Sequence, residues 1–141
     1  MKRIMIFLSI IFIHSCKLDR QFAHYYRIVN LSNQDIVLKR NNPVTGVKEF
    51  IVKKNQTIEF DGAIGCGYNC LPTIDSIAII LENNLVIINS CKNSKSANCQ
   101  TEHSFFNCDS YKLEIIEKTK IITRNYLYEF TDADLKRAKK L

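Results

Sequence analysis

The sequence predicts an all-β domain, mostly antiparallel and sandwich-like, closed by one short C-terminal helix. Three observations carry that prediction. Ile is abundant, Tyr and Phe supply 6 and 8 residues, Trp is absent, and only 4 Gly and 2 Pro interrupt the chain, a bias towards side chains that fit a pleated, half-buried surface. Apolar and polar residues alternate through a succession of short segments, the period-two signature of strands. The connections between those segments are too short for repeated crossover helices, which argues against a parallel α/β sheet.

The chain opens on Lys2-Arg3 and the apolar run from Ile4 to Ile13, followed by His14-Ser15-Cys16. Crossing a bilayer takes about 20 apolar residues, and this run is half that. Residues 1–15 are therefore expected to be an export signal rather than a permanent membrane span. Residues 17–22 are polar and aperiodic, consistent with a tether or a frayed terminus. The remaining stretch, 23–141, is one domain's worth of chain, long enough to bury a hydrophobic core without obligatory disulfides.

Within it, 23–31 is aromatic and β-branched, with Tyr26 and Ile28 on one face and Tyr25, Arg27 and Val29 on the other, and reads as the first strand. Asn30 to Gln34 is a turn, and Asp35 to Arg40 a second strand with Ile36 and Leu38 facing one way, so the first two strands are expected to form a hairpin. Residues 41–46 form a loop, since Pro43 removes a ladder donor and Gly46 tolerates positive φ. Two further strands are expected at 47–53 and 56–60, then an irregular loop over 61–73, which concentrates three glycines, one proline and two cysteines. The most apolar pair of segments, 75–82 and 85–89, is joined by Asn83-Asn84, which suits a tight hairpin with positive φ at both Asn. Residues 77–81 are apolar on both faces and are expected to be central in a sheet. Residues 90–110 lack periodicity and form either a disulfide-stapled loop or one hiding a short element. Tyr111 to Glu117 and the stretch from Ile121 to Phe130 close the sheet as a hairpin. A helix is expected over 131–141, with Thr131 as N-cap, Asp132 and Asp134 in the first turn and a narrow stripe of Leu135, Ala138 and Leu141.

The five cysteines after Cys16 are Cys66, Cys70, Cys91, Cys99 and Cys108. An oxidising compartment favours disulfides. The expected pairs are Cys66 with Cys70, pinching the glycine loop, and Cys91 with Cys108, flanking the long loop, with Cys99 left as a free thiol. Bridging a loop of about 18 residues would contribute roughly 3 kcal/mol. The rival is a zinc set of Cys91, Cys99, His103 and Cys108, whose spacings lack the tight C-x-x-C pairs of a zinc motif. No metal or cofactor is expected.

Ser15 directly before Cys16, with Ile13 behind it, resembles the lipobox of bacterial lipoproteins. In that family the cysteine is acylated and becomes the first mature residue, and several acyl chains together make attachment effectively permanent. The competing reading is an ordinary cleaved signal with Cys16 as a structural cysteine. With Tyr26 to Asn30, Asp75-Ser76-Ile77, Asn107, Ser110-Tyr111 and the stretch from Tyr126 to Asp134, the chain resembles the small outer-membrane lipoproteins of the Bacteroidota. That resemblance implies a lipid-anchored, β-rich module of the cell envelope, periplasmic or surface-facing, and brings no catalytic residues.

Formal charge is +6 at pH 7, and loss of Lys2 and Arg3 lowers it by two. The basic residues are scattered except near the C-terminus, so no nucleic-acid partner is expected. There is no H-E-x-x-H, no G-x-S-x-G and no phosphate-cradling glycine loop. A Cys–His nucleophilic pair built on His103 is the one catalytic alternative, and no catalytic residue is assigned. The expected role is a binding or structural module held to the membrane by its lipid, with an envelope protein or a glycan as ligand. The alternative is a secreted enzyme or inhibitor whose disulfide-stapled loops carry specificity.

Overall fold

The computed structural model describes residues 21–65, 72, 74–90, 103–118 and 120–140. They form two sheets. The first has the order β4-β1-β8-β7, from β1 (Gln21–Asn30), β4 (Thr57–Gly65), β7 (Tyr111–Lys118) and β8 (Ile121–Phe130). The second has the order β3-β2-β5-β6-β9, from β2 (Ile36–Asn42), β3 (Gly46–Val52), β5 (Ser76–Ile80), β6 (Leu85–Ser90) and β9 (Lys139–Lys140).

One core joins the two sheets, and each contributes a different chemistry. The first sheet supplies mostly rings, Tyr26, Phe60, Tyr111, Tyr126, Tyr128 and Phe130, together with the aliphatic Ile28. The second supplies aliphatic side chains: Ile36, Leu38, Val52, Ile77, Ile79 and Ile87. Tyr26 stacks on Tyr126 at 5.0 Å between centroids, and Phe105, from the segment before β7, stacks on Tyr128 at 3.9 Å. Inward-facing residues from both sheets interdigitate in this way in a sandwich, and the all-β, sandwich-like expectation is met.

Pairing is antiparallel everywhere except between β1 and β8, which run parallel and in register from Gln21 opposite Ile121 to Asn30 opposite Phe130. No crossover helix is needed, because the whole second sheet except β9 lies in the connection between them. Central placement of the Ile77 strand holds, since β5 is the middle strand of its sheet.

Several local expectations are corrected. Strand β1 begins at Gln21, so Gln21 and Phe22 belong to the sheet rather than to a tether. Strand β4 continues through Gly65, so the first five residues of the expected 61–73 loop are strand; pairing with β1 overrides their loop-like composition. The β5–β6 connection is a 3-10 turn over Glu82–Asn84 with positive φ at Asn84 (58°) alone. A second 3-10 turn, Cys108–Ser110, occupies the end of the long connection.

The C-terminal helix is one turn, α1 (Asp132–Leu135), not the eleven residues expected. Isolated helices of that length are marginal, and two half-buried anchors, Leu135 and Ala138, do not hold one down. The tail instead gains ladder bonds by laying Lys139 and Lys140 against Val86 and Leu85 of β6. The capping signals are correct for the first turn: the Thr131 N–H donates to Asp134 Oδ2 at 2.8 Å, and Asp132 Oδ1 accepts from the Asn33 N–H at 2.9 Å.

Asn30 sits where the two sheets meet and is fully buried. Its Nδ2 donates to Gln34 O at 2.8 Å and Val52 O at 2.9 Å, while its Oδ1 accepts from the Ser32 hydroxyl at 2.6 Å and the Ser32 N–H at 3.1 Å. Asn30→Ala strands these groups without water, and each buried unpaired group costs about 1–3 kcal/mol. We expect a loss of roughly 3 kcal/mol in urea unfolding, and Asn30→Asp, which keeps shape but lacks the Nδ2 donors, should be at least as damaging.

Candidate functional site

On β2 the inward positions run Ile36, Leu38, Arg40 and Asn42, so strand periodicity carries two polar side chains onto the core face as the strand leaves the core. Opposite them β4 bulges. Tyr26 pairs with Asp61 and Arg27 with Glu59, leaving Phe60 as the extra residue. A bulge re-aims side chains, and here two consecutive residues, Phe60 and Asp61, are both buried. Gly62 follows where a Cβ would lie 3.2 Å from His24 O, so the close approach of β4 to β1 favours a residue without a side chain.

These strands enclose a cleft of about 510 Å³. At its floor Arg40 Nη1 donates to Asp61 Oδ1 at 3.2 Å, with both side chains less than a tenth exposed. Arg40 Nε is buried without a hydrogen-bond partner. Lys48 lies directly across the β2–β3 ladder from Arg40. The cleft therefore places two cationic side chains, Arg40 and Lys48, near the carboxylates of Asp61 and Glu59. Phe50 and Phe60 supply an apolar wall, and Thr45 and Glu59 line it further out. The loop that shapes one side is held by Asn42 Oδ1, which accepts from the N–H groups of Val44 (2.8 Å) and Thr45 (2.9 Å) before Gly46 turns at φ 74°. The cleft therefore offers both donors and acceptors around an apolar surface, suited to a small polar ligand with hydroxyl or amide groups.

A second constellation surrounds the buried carboxylate of Asp134, which is 2 % exposed. His103, with φ 58°, places Nδ1 3.1 Å from both Asp134 Oδ1 and Tyr128 Oη. The Tyr128 hydroxyl donates to His103 O at 2.8 Å. Arg137 donates through Nη1 to His103 O at 2.7 Å, and through Nη2 to Tyr128 Oη at 3.2 Å and to Asp134 Oδ1. The knot pins the C-terminal turn and the segment before β7 onto the aromatic layer.

Of the residues that chemistry alone singles out, His103 is thus held by a carboxylate and a phenol, an orienting arrangement. The nearest hydroxyl in sequence, that of Ser104, is engaged elsewhere and accepts from the Phe106 N–H. Cys108 is disulfide-bonded, which removes it from the zinc set and from a Cys–His pair. Cys16, Cys66, Cys70, Cys91 and Cys99 lie outside the described residues, and with them the lipidation site, the Cys66–Cys70 pair and the free thiol expected at Cys99. Sequence reasoning does not single out Arg40 or Asp61. The polar break in the inward series of β2 is a signal that points to Arg40, whereas nothing local marks Asp61.

Burial, and then the neighbouring Asp134 charge, push the Tyr128 hydroxyl up to about 12, with Arg137 opposing. Burial and the adjacent Tyr128 raise Tyr111 well above the usual tyrosine value. An acid whose folded pKa is raised keeps its stabilising effect below the unfolded value near 10 and loses it as pH climbs to the folded value. Stability should therefore fall by roughly 2–3 kcal/mol from Tyr128 alone between pH 10 and 12. Thermal melts across that window check this, and Tyr128→Phe should flatten the dependence while Tyr111 leaves a residual slope.

No family model matches the chain, and neither a curated protein nor a solved structure matches it.

Proposed function

We propose that this protein is a lipid-anchored module of the bacterial cell envelope, held by acylated Cys16 at the outer membrane, that captures a small polar ligand in the Arg40–Asp61 cleft. The observation that carries the reading is the desolvated ion pair at the cleft floor. A buried pair is weak evidence for stability, since well-packed apolar residues of similar volume often do as well or better. Its placement against an open cavity, with Arg40 Nε still unpartnered, supports a role in recognition.

The mixture of signs supports the ligand class. A simple anion would meet Asp61 and Glu59, and a simple cation would meet Arg40 and Lys48. Groups that both donate and accept, as the hydroxyls of a glycan do, meet complementary partners from either side. Phe50 and Phe60 then cover the less polar face of the ring. The leader, its small residue before Cys16 and the short length of the apolar run support export and anchoring.

Anchoring and capture separate experimentally. Cys16→Ser should release the protein from the membrane fraction and leave its ligand binding intact; a variant still membrane-bound and processed at the same bond refutes the anchor. Calorimetric titration with a panel of neutral disaccharides should find a binder that Arg40→Met weakens by tenfold or more, about the contribution of one charge-assisted hydrogen bond. Equal affinity of Arg40→Met and wild type would remove the cleft from the mechanism.

A further inference from the structure

The short C-terminal strand covers only part of its neighbour. Strand β9 pairs with Leu85 and Val86, and the chain enters it from the turn at Arg137 rather than along the ladder, so the β6 edge from Ile87 to Asn89, on the side away from β5, has no strand partner among the described residues. The gap is a cavity of about 370 Å³ bordered by Val86, Ile88, Asn89, Arg137 and Lys139. Asn89 is only 8 % exposed, and its amide nitrogen has no hydrogen-bond partner. An amide buried without its partner carries a cost that a ligand oxygen would relieve.

The charge at this notch is one-sided. Asp134 offsets part of the Arg137 charge, and Tyr128 Oη and His103 O take further donors. Lys139 has no ion-pair partner among the described residues, and no carboxylate is found among the described residues lining the cavity. A guanidinium that is fixed in place, an ammonium and an amide without partners among the described residues, and the open edge of β6 border one volume. Ile88, 64 % exposed, lies on the outer face of β6 with Val86 and its partner Lys139, opposite to the face that carries Asn89, and offers an apolar shelf next to the ammonium.

We infer that this notch binds a phosphate ester, with the phosphate oxygens on Lys139, Arg137 and the Asn89 amide and the organic part resting on Ile88. The volume exceeds what a bare ion fills, which is why an ester fits better than inorganic phosphate. The site is distinct from the Arg40–Asp61 cleft and stands whether or not that cleft binds a glycan. The same chemistry is presented by a soluble phosphate ester and by a phospholipid headgroup.

The test is amide NMR of the full chain in a non-ionic detergent, titrated with glycerol 3-phosphate. Saturable shifts confined to 86–89 and 137–139 are expected, weakened about tenfold by Lys139→Met, an exposed position whose loss does not threaten folding, and unchanged by Lys120→Met. Phosphatidylglycerol vesicles that displace the ester identify a headgroup as the source; vesicles that do not displace it identify a soluble ester. Absence of saturable shifts, affinity unaltered by Lys139→Met, or an equal loss with Lys120→Met overturns the inference.

Discussion

One side-chain amide fixes how the two sheets meet. Asn30 ends β1 and pairs with Phe130 of β8. Its side chain reaches Val52 at the end of β3, and its main chain exchanges bonds with the β3–β4 turn, accepting from Asn55 N at 2.7 Å and donating to Gln56 O at 3.0 Å. Five parts of the chain therefore share one buried residue: the ends of β1, β3 and β8, the turn into β2 and the turn into β4. Asn is suited to this junction because it carries two donors and two acceptor sites in a compact, uncharged group.

From that corner towards the other end of β2 the core changes from apolar to polar. Ile36 and Leu38 are followed on the same face by Arg40 and Asn42. The β4 bulge answers with Asp61. A sandwich that kept strict alternation on both sheets would seal this end with hydrophobic side chains; one inserted residue converts it into a cleft with a carboxylate at its floor. The architecture thus separates the buried, fully bonded Asn30 corner from the open, polar end where the cleft lies.

How much of this is legible in the sequence depends on the range over which each signal acts. Alternation within 23–31, 35–40 and 111–117 locates strands because the pleat imposes period two on neighbours. The hairpins β5–β6 and β7–β8 are legible because short connections leave few alternatives, but the hairpin expected between β1 and β2 does not form: the 31–35 turn carries the chain from one sheet to the other, where β2 pairs with β3 and β5. The parallel β1–β8 pairing is not, since two strands at opposite ends of a domain leave no local mark of their register. Asp61 is hidden for the opposite reason, because a bulge breaks the periodicity on which facing is read. At 131–134 the capping residues mark the helix start correctly, but its early end depends on the unfilled edge of β6, a tertiary offer that propensity does not contain.

The parallel pair also sets an order of events for a chain that emerges from its N-terminus. Hairpins spanning Ile36 to Ser90 close locally, and β4 reaches one side of β1, but the other side of β1 waits for β8, which begins only at Ile121. Until then the nascent domain displays a long, unpaired strand edge with Tyr25, Arg27 and Val29 on its outer face, the kind of surface that recruits stray strands. Contacts this distant in sequence form slowly. Strands β7 and β8 therefore join late, and a chain interrupted before them would be left with its aromatic layer half built, without Tyr111, Tyr126, Tyr128 and Phe130.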